Sequence, residues 1–299
     1  MASPSDLAGQ RVLVTGATGF TGRYAVAQLR AAGCEVHDLR SADGAPANLL
    51  DREALKSHVA QVAPHRVLHL AAISFVAHGD AEEIYKVNIV GTRNLLEALS
   101  ALPQPPENTL LASSANVYGN ASGTLTESAP LAPQNDYAVS KMAMEAMASL
   151  WQEKLPLTIV RPFNYTGVGQ DEKFLIPKIV SHFKRRASVM ELGNTDVSRD
   201  FYDVRCVAEA YRRLLELPGS GEVYNISSGE EYSLQQVIDM MRAISGQDIT
   251  VRVNPDFVRA NEIKSLRGDN AKLRHRIGEL PAFELAQTLR WMYETEPNG

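Results

Sequence analysis

The feature that most restricts this chain is the run Val12-Leu13-Val14-Thr15-Gly16-Ala17-Thr18-Gly19-Phe20-Thr21-Gly22, a short strand that passes through three spaced glycines into a helical pattern. Strand, glycine turn and helix in this order form the phosphate-binding corner of an open parallel α/β sheet. Gly16 suits the tight turn, Gly19 lets main chain approach a diphosphate, and Gly22 lets the helix pack closely on the strand. The helix N-terminus adds N–H groups and a positive dipole, so Phe20 and Thr21 join the glycines as candidate cofactor contacts.

The rest of the sequence keeps this rhythm. Apolar, β-branched runs at 12–15, 36–39, 67–70, 109–113 and 157–161 alternate with helical patterns at 24–32, 53–62, 81–102 and 137–153. That alternation predicts an α/β fold, a Rossmann-type parallel sheet with helices on both faces. After Pro162 the pattern changes to a loop with Gly167 and Gly169, a helix over 174–186 and a strand over 189–192. A helix over 203–217 and a strand over 222–226 return to the main sheet before 234–244, 250–253 and 283–293 complete the chain. The expected organisation is a dinucleotide-binding domain from residues 1–163 and 202–228, interleaved with a smaller α/β substrate-binding lobe from 164–201 and 229–299.

A formal charge of −5 and a pI of about 5.8 give no general attraction to nucleic acid or to an acidic membrane, so an anionic ligand must be held locally. The apolar stretch at 67–77 is interrupted by His69 and Ser74 and falls short of the roughly 20 residues of a membrane span. Residues 1–11 carry Asp6 and no apolar run of signal length, so a cytoplasmic protein is expected. Cys34 and Cys206 have no neighbour at metal-ligand spacing, and His65 and His69 straddle a strand start, so neither a disulfide nor a metal site is expected.

Catalytic chemistry is carried by Tyr137-Ala138-Val139-Ser140-Lys141, which places a phenol and an ammonium one helical turn apart. A phenol exchanges protons near neutrality only if a cation stabilises its phenolate, which Lys141 supplies. Upstream, Ser113-Ser114-Ala115-Asn116 follows a buried strand and presents the Ser114 hydroxyl where open sheets build their sites. At the end of the second strand, counting from Gly16, stands Arg40, a cation suited to the 2′-phosphate of NADP. Asp38 lies two residues earlier, and a carboxylate there suits NAD, so NADP is expected with NAD as the alternative.

The glycine spacing G-x-x-G-x-x-G, the turn Leu70-Ala71-Ala72, the Ser114 segment and the Tyr137/Lys141 pair together resemble the extended short-chain dehydrogenase/reductases. The resemblance implies Ser114, Tyr137 and Lys141 as the triad, Leu70, Ala71 and Ala72 as a second cofactor-contacting turn, and Asn48 and Leu49 over the adenine. Later segments resemble the branch of that family that reduces GDP-linked 4-dehydro-6-deoxyhexoses. They are Arg161–Gln170 with Phe174–Pro177, then Leu192-Gly193-Asn194, Arg199–Arg205, Val223–Gly229, and Arg259-Ala260-Asn261-Glu262. By that likeness Asn164, Arg199 and Arg259 would meet a diphosphate, Glu262 the nucleotide ribose, and Ser74 the sugar. Cys206 and Ala260 depart from the branch pattern, where an acid and a proline are usual.

Family dehydratases place an acid shortly after the catalytic hydroxyl. Ala115 and Asn116 stand there in this chain, which favours a reductase, with an epimerase that retains its dinucleotide or a non-catalytic nucleotide-sensing module as alternatives. The resemblance further implies a homodimer, with Met142 and Met147 on a candidate contact face.

Overall fold

The computed structural model describes residues 7–39, 47–74, 80–258 and 264–296. Its first half repeats strand and helix: β1 (Arg11–Thr15), α1 (Phe20–Ala31), β2 (Glu35–Asp38), α2 (Arg52–Val62), β3 (Arg66–His69), α3 (Ala81–Tyr85), α4 (Thr92–Ser100) and β4 (Asn108–Ala112). After a short β5 (Thr124–Leu125) come α5 (Asp136–Ser149), β6 (Leu157–Pro162), β7 (Tyr165–Thr166), α6 (Leu175–Lys184), β8 (Val189–Leu192), β9 (Ser198–Arg199) and β10 (Tyr202–Asp203). The chain ends with α7 (Val204–Glu216), β11 (Val223–Ile226), β12 (Tyr232–Ser233), α8 (Leu234–Ser245), β13 (Thr250–Val253), β14 (Ser265–Gly268), α9 (Ala271–Ile277) and α10 (Leu285–Glu294).

The main sheet has six parallel strands in the order β11-β6-β4-β3-β1-β2. Its central strands are buried on both faces, as their near-continuous apolar runs require. One face carries α1 and α7, whose Ala25, Leu29, Val207 and Leu214 share a cluster with Val12, Val14 and Leu68. The opposite face carries α2, α4 and α5, with Leu55, Leu96 and Met144 packed against Leu13, Val67 and Leu111. A third, separate cluster is built by α6, α8 and α10 with β8 and β13, within the stretch expected as the smaller lobe.

The helix expected over 81–102 is interrupted by a π-helical segment at Lys86–Gly91, invisible to a 3.6-residue pattern because it displaces the register only locally. The pairings of β5 with β14 and of β9 with both β12 and β14 were also not foreseen, since these two- to four-residue strands are too short to show alternation. Within the stretch assigned by sequence to the smaller lobe, Leu273, Ile277, Leu280 and Phe283 instead join the cluster under β1 and α7.

Two polar ties hold α5 and the lobes in place. Arg161 on β6 forms a bidentate pair with Glu145 on α5, at 3.0 and 2.6 Å, and donates to Tyr118 Oη at 3.0 Å, all buried. Asp200 accepts from the Ser228 hydroxyl at 2.8 Å and from the amides of Ser228 and Gly229 at 3.1 Å, pinning the chain between β9 and β10 to the chain after β11. Removing one member of a buried pair leaves the other charge uncompensated. Glu145→Ala is therefore expected to lower stability by about 3–5 kcal/mol, read as a shifted denaturant midpoint with an unchanged slope.

Candidate active site

In the main sheet the chain leaves β1 for β2 on one side and later enters β3 on the other, so the strand order reverses between β1 and β3. The crevice at such a reversal is where open α/β sheets bind ligands. Gly16 follows β1 with φ +74°, and a Cβ there would lie 2.9 Å from the Ala71 amide, so the glycine turn and the turn after β3 touch through main chain. A Cβ on Gly22 would lie 2.1 Å from the Gly16 carbonyl oxygen, so α1 begins against the turn itself. Gly19 is the N-cap of α1 and contributes no side-chain acceptor, which leaves the first-turn amides for an external anion. The structure thus brings Gly16, Gly19, Phe20, Thr21, Gly22, Leu70, Ala71 and Ala72 around one crevice. A groove of about 340 Å³ runs on from Ala17 and Thr18 between α1 and β2, with Arg23, Arg30 and Asp38 along it.

Beyond β3 lies the rim formed by β4 and α5. Ser114 caps a single 3-10 turn at Ala115–Tyr118, accepting from the Asn116 amide at 3.2 Å, and its hydroxyl is close enough to act on the Tyr137 phenol. Tyr137 sits in the first turn of α5, which Asn135 caps through the Ala138 amide. Burial pushes the Tyr137 phenol up to about 12, the Ser114 hydroxyl opposes this, and the nearby Tyr165 phenol adds to it. Lys141, one turn on, is also buried and donates to the Ala112 carbonyl at 2.7 Å. Burial lowers its ammonium to about 8, against the pull of Glu145. Tyr137 and Lys141 thus stand one turn apart on α5, with a phenol that keeps its proton at neutral pH.

A buried polar chain that sequence reasoning missed joins this rim to the crevice. The Ala71 amide donates to Thr15 Oγ1 at 3.1 Å, which lies 2.7 Å from His69 Nδ1, and His69 Nε2 lies 2.8 Å from Thr92 Oγ1. Thr92 gives its own proton to the Asn88 carbonyl, so His69 donates through Nε2 and accepts at Nδ1. Burial, and then the charge of Lys141, holds His69 neutral by lowering it to about 3. From the π-helical segment the Asn88 side chain bonds both main-chain groups of Ile73 and donates to Ser140 Oγ at 3.0 Å, and Ser140 donates to the Tyr137 carbonyl. The one signal in the sequence was a polar pair, Asn88 and Thr92, one turn apart on an otherwise apolar face.

The other predicted residues divide. Leu49 is buried against Gly91, while Asn48 is exposed and accepts from the Leu50 amide. Ser74 and Asn164 are exposed, and the Asn164 carbonyl accepts from the Tyr202 amide. Arg199 is buried, with Nη1 donating to the carbonyls of Ser198 and Lys264 at 2.8 and 3.0 Å, so it braces β9 against β14. Arg40, Arg259 and Glu262 lie outside the described residues. His65 accepts from the Arg11 amide through Nδ1, a structural use like that of His69.

The NAD dependent epimerase/dehydratase family model matches residues 12–227. This chain belongs to that family. The family's fold and its NAD(P)-dependent chemistry are those of the extended short-chain dehydrogenase/reductases. GDP-6-deoxy-D-mannose reductase of Pseudomonas aeruginosa is 34% identical over 296 residues, covering 94% of this chain and 95% of the relative. The structure of RMD from Pseudomonas aeruginosa complexed with NADPH is 33% identical with a TM-score of 0.85, over 95% of this chain and 96% of that one. A Burkholderia cenocepacia J2315 protein, provisionally described as an epimerase, is 48% identical with a TM-score of 0.90, over 96% and 98% of the two chains. As an NAD(P)-dependent member of the epimerase/dehydratase family, the chain is expected to lose dinucleotide binding in Gly22→Ala, because the new methyl group meets the Gly16 carbonyl at a distance no real Cβ tolerates. Fluorescence titration with NADPH reads this, and wild-type affinity in the variant would contradict the packing described.

Proposed function

We propose that the protein reduces the C4 ketone of a GDP-4-dehydro-6-deoxyhexose to a GDP-6-deoxyhexose, with NADPH as reductant. The observation that carries this reading is the placement of the Ser114 hydroxyl close enough to act on the Tyr137 phenol at the sheet rim, with Lys141 one turn along α5 and Ala115 and Asn116 where a dehydratase would need an acid. The 34%-identical reductase supports the GDP sugar, and the NADPH bound to the 33%-identical structure supports the cofactor.

In this reading the first-turn amides of α1 and the Gly16–Gly19 turn hold the dinucleotide diphosphate, the 70–72 turn and Asn48 flank the nucleoside, and Arg40 pairs with the 2′-phosphate. Bound there, the cofactor supplies a hydride to C4. The Ser114 hydroxyl donates to the ketone oxygen and orients it, and Tyr137 Oη gives its proton to the oxygen as negative charge develops. Lys141 compensates the phenolate left on Tyr137. Arg259 and Asn164 meet the substrate diphosphate, Glu262 the nucleotide ribose and Ser74 the sugar, while Arg199 keeps β14 seated on β9.

The family also holds epimerases, and the 48%-identical neighbour favours that second reading. An epimerase returns its hydride, so the two separate on stoichiometry. Purified protein with a GDP-4-dehydro-6-deoxyhexose is expected to oxidise one NADPH per sugar converted, with GDP a better competitor than UDP or dTDP. Conversion without net oxidation would replace the reductase by the epimerase. Tyr137→Phe is expected to retain NADPH binding and to lower kcat by at least about 100-fold, the usual contribution of a positioned acid. Lys141 carries its charge below about 8, so kcat for reduction is expected to fall as pH rises through that value. A flat profile from pH 7 to pH 10 would remove the ammonium from the mechanism.

A further inference from the structure

The first turn of α1 faces two ways. Its amides point toward the crevice assigned to the dinucleotide, while its side chains hold the start of the smaller lobe. Thr21 Oγ1 lies 2.7 Å from Tyr165 Oη, and the Phe20 ring stacks on the Tyr165 ring with centroids 6.1 Å apart and planes 11° from parallel. Tyr24 donates to the Val168 carbonyl at 2.7 Å, and Arg23 to the Gly169 carbonyl at 3.1 Å. Four side chains of one helix start therefore meet a single loop, the one that carries Asn164.

That loop is also held by the Tyr202 amide donating to the Asn164 carbonyl, Thr166 donating to Gln170 Oε1 at 2.7 Å and Gln170 Nε2 donating to the Tyr165 carbonyl at 3.2 Å. β7 is two residues long and pairs only with the equally short β10, in a sheet of two strands among the described residues. Such a pairing is marginal alone, so its place is set by what packs on it. Burial raises the Tyr165 phenol above its ordinary value while the Thr21 bond opposes the rise, so this hydroxyl is desolvated and poorly supplied with water if Thr21 moves. The same phenol is close enough to influence Tyr137. Tyr165 thus touches the cofactor turn on one side and the catalytic phenol's surroundings on the other.

We propose that Tyr165 is a positioning residue that couples the two ligand sites, holding the 164–169 loop in its receiving arrangement when dinucleotide fixes the first turn of α1. Anchoring the Phe20 and Thr21 amides on a diphosphate fixes the ring and hydroxyl those residues present to Tyr165. By linkage, a nucleotide sugar seated on the loop strengthens dinucleotide binding by the same factor. The proposal rests on the dinucleotide reading of the glycine turn, and on the GDP-sugar reading only for its second readout.

The test is amide hydrogen exchange in wild type and in Tyr165→Phe, with and without saturating NADPH. The variant keeps the ring that stacks on Phe20 and loses only the hydroxyl. In wild type, NADPH is expected to slow exchange at residues 165–170 by about five-fold or more, the lower end of ordinary coupling between sites. In Tyr165→Phe that slowing is expected to fall below about two-fold on the same scale while the 16–22 amides stay protected, which shows the cofactor bound. Thr21→Val removes the same bond from the other side and is expected to weaken the effect likewise, should Tyr165→Phe melt early. A merely structural role would loosen the loop equally with and without NADPH.

GDP titration gives the second readout. Wild-type affinity is expected to rise about five-fold when NADPH is present, and Tyr165→Phe affinity to be insensitive to it. Unchanged exchange at 165–170 on adding NADPH to wild type would overturn the proposal, as would an undiminished effect in both variants. Failure of NADPH to protect 16–22 would overturn it too, by removing its premise. Failure of GDP to bind wild type at all would defeat the substrate reading, and the exchange data would still decide the coupling.

Discussion

The buried hydrogen-bond chain from the Ala71 amide through Thr15, His69, Thr92, Asn88 and Ser140 to the Tyr137 carbonyl governs the geometry of the whole site. Buried polar groups are costly unless paired, and here each hydroxyl donates once and accepts once, while His69 donates through Nε2 and accepts at Nδ1. Satisfying all of them at once fixes four elements relative to one another: β1, the turn after β3, the π-helical segment and α5. The π-helical segment follows from the same requirement, since it turns Asn88 toward Ile73 and Ser140 together. With the two turns pressed together at Gly16 and Ala71, the crevice and the triad become parts of one rigid arrangement.

Rigidity of this kind sets the electrostatics. Burial moves Tyr137 and Lys141 in opposite directions, the phenol upward and the ammonium downward, so in each case the neutral form gains. An isolated phenolate would be expensive in this setting. In the proposed reduction the Lys141 ammonium, one turn along α5, would offset the phenolate left when Tyr137 gives its proton to the ketone oxygen. Glu145 contributes from the next turn: its pull on Lys141 opposes desolvation, while its own charge is held by Arg161. The ion pair that braces α5 on β6 thereby also conditions the amine that serves the phenol.

How much of this could be read from the sequence depends on the range of the interaction. The glycine turn and the alternation of strands and helices are local signals that the structure repeats, and Tyr137 and Lys141 lie one turn apart on α5. The long α4 region was read as one helix because its apolar period is nearly unbroken, and nothing in that period marks the π-helical segment. His69 was legible only as a histidine without a metal partner; its two threonines lie 54 and 23 residues away in the chain. Arg199 is expected at a diphosphate from its segment alone, and what the sequence does not show is that pairing of β9 with β14, between segments more than sixty residues apart, buries it with Nη1 donated to two carbonyls. Local chemistry was visible, and its long-range supports were not.

The smaller lobe shows the same division between fixed and adjustable parts. Its entry and exit are tied firmly: Asp200 is bonded to Ser228 and Gly229, and the Arg205 guanidinium is paired with Asp203 and lies 3.8 Å from the Phe283 ring centroid and 4.1 Å from that of Trp291. Thr288 on α10 completes this second tie by donating to Asp203 at 2.7 Å. Those contacts are buried or stacked, and they attach α10 to the start of α7 and the chain after β11 to Asp200. The segment between β6 and α6 differs, since its ties to α1 are two hydroxyl contacts, one exposed guanidinium and one ring stack. Such contacts are individually worth little more than about 1 kcal/mol each, small enough for ligand binding to strengthen or release them. The fold therefore keeps its adjustable contacts where the two proposed ligand sites meet and its strongest ones elsewhere, which lets the lobes respond to each other without disturbing the array that holds Ser114, Tyr137 and Lys141.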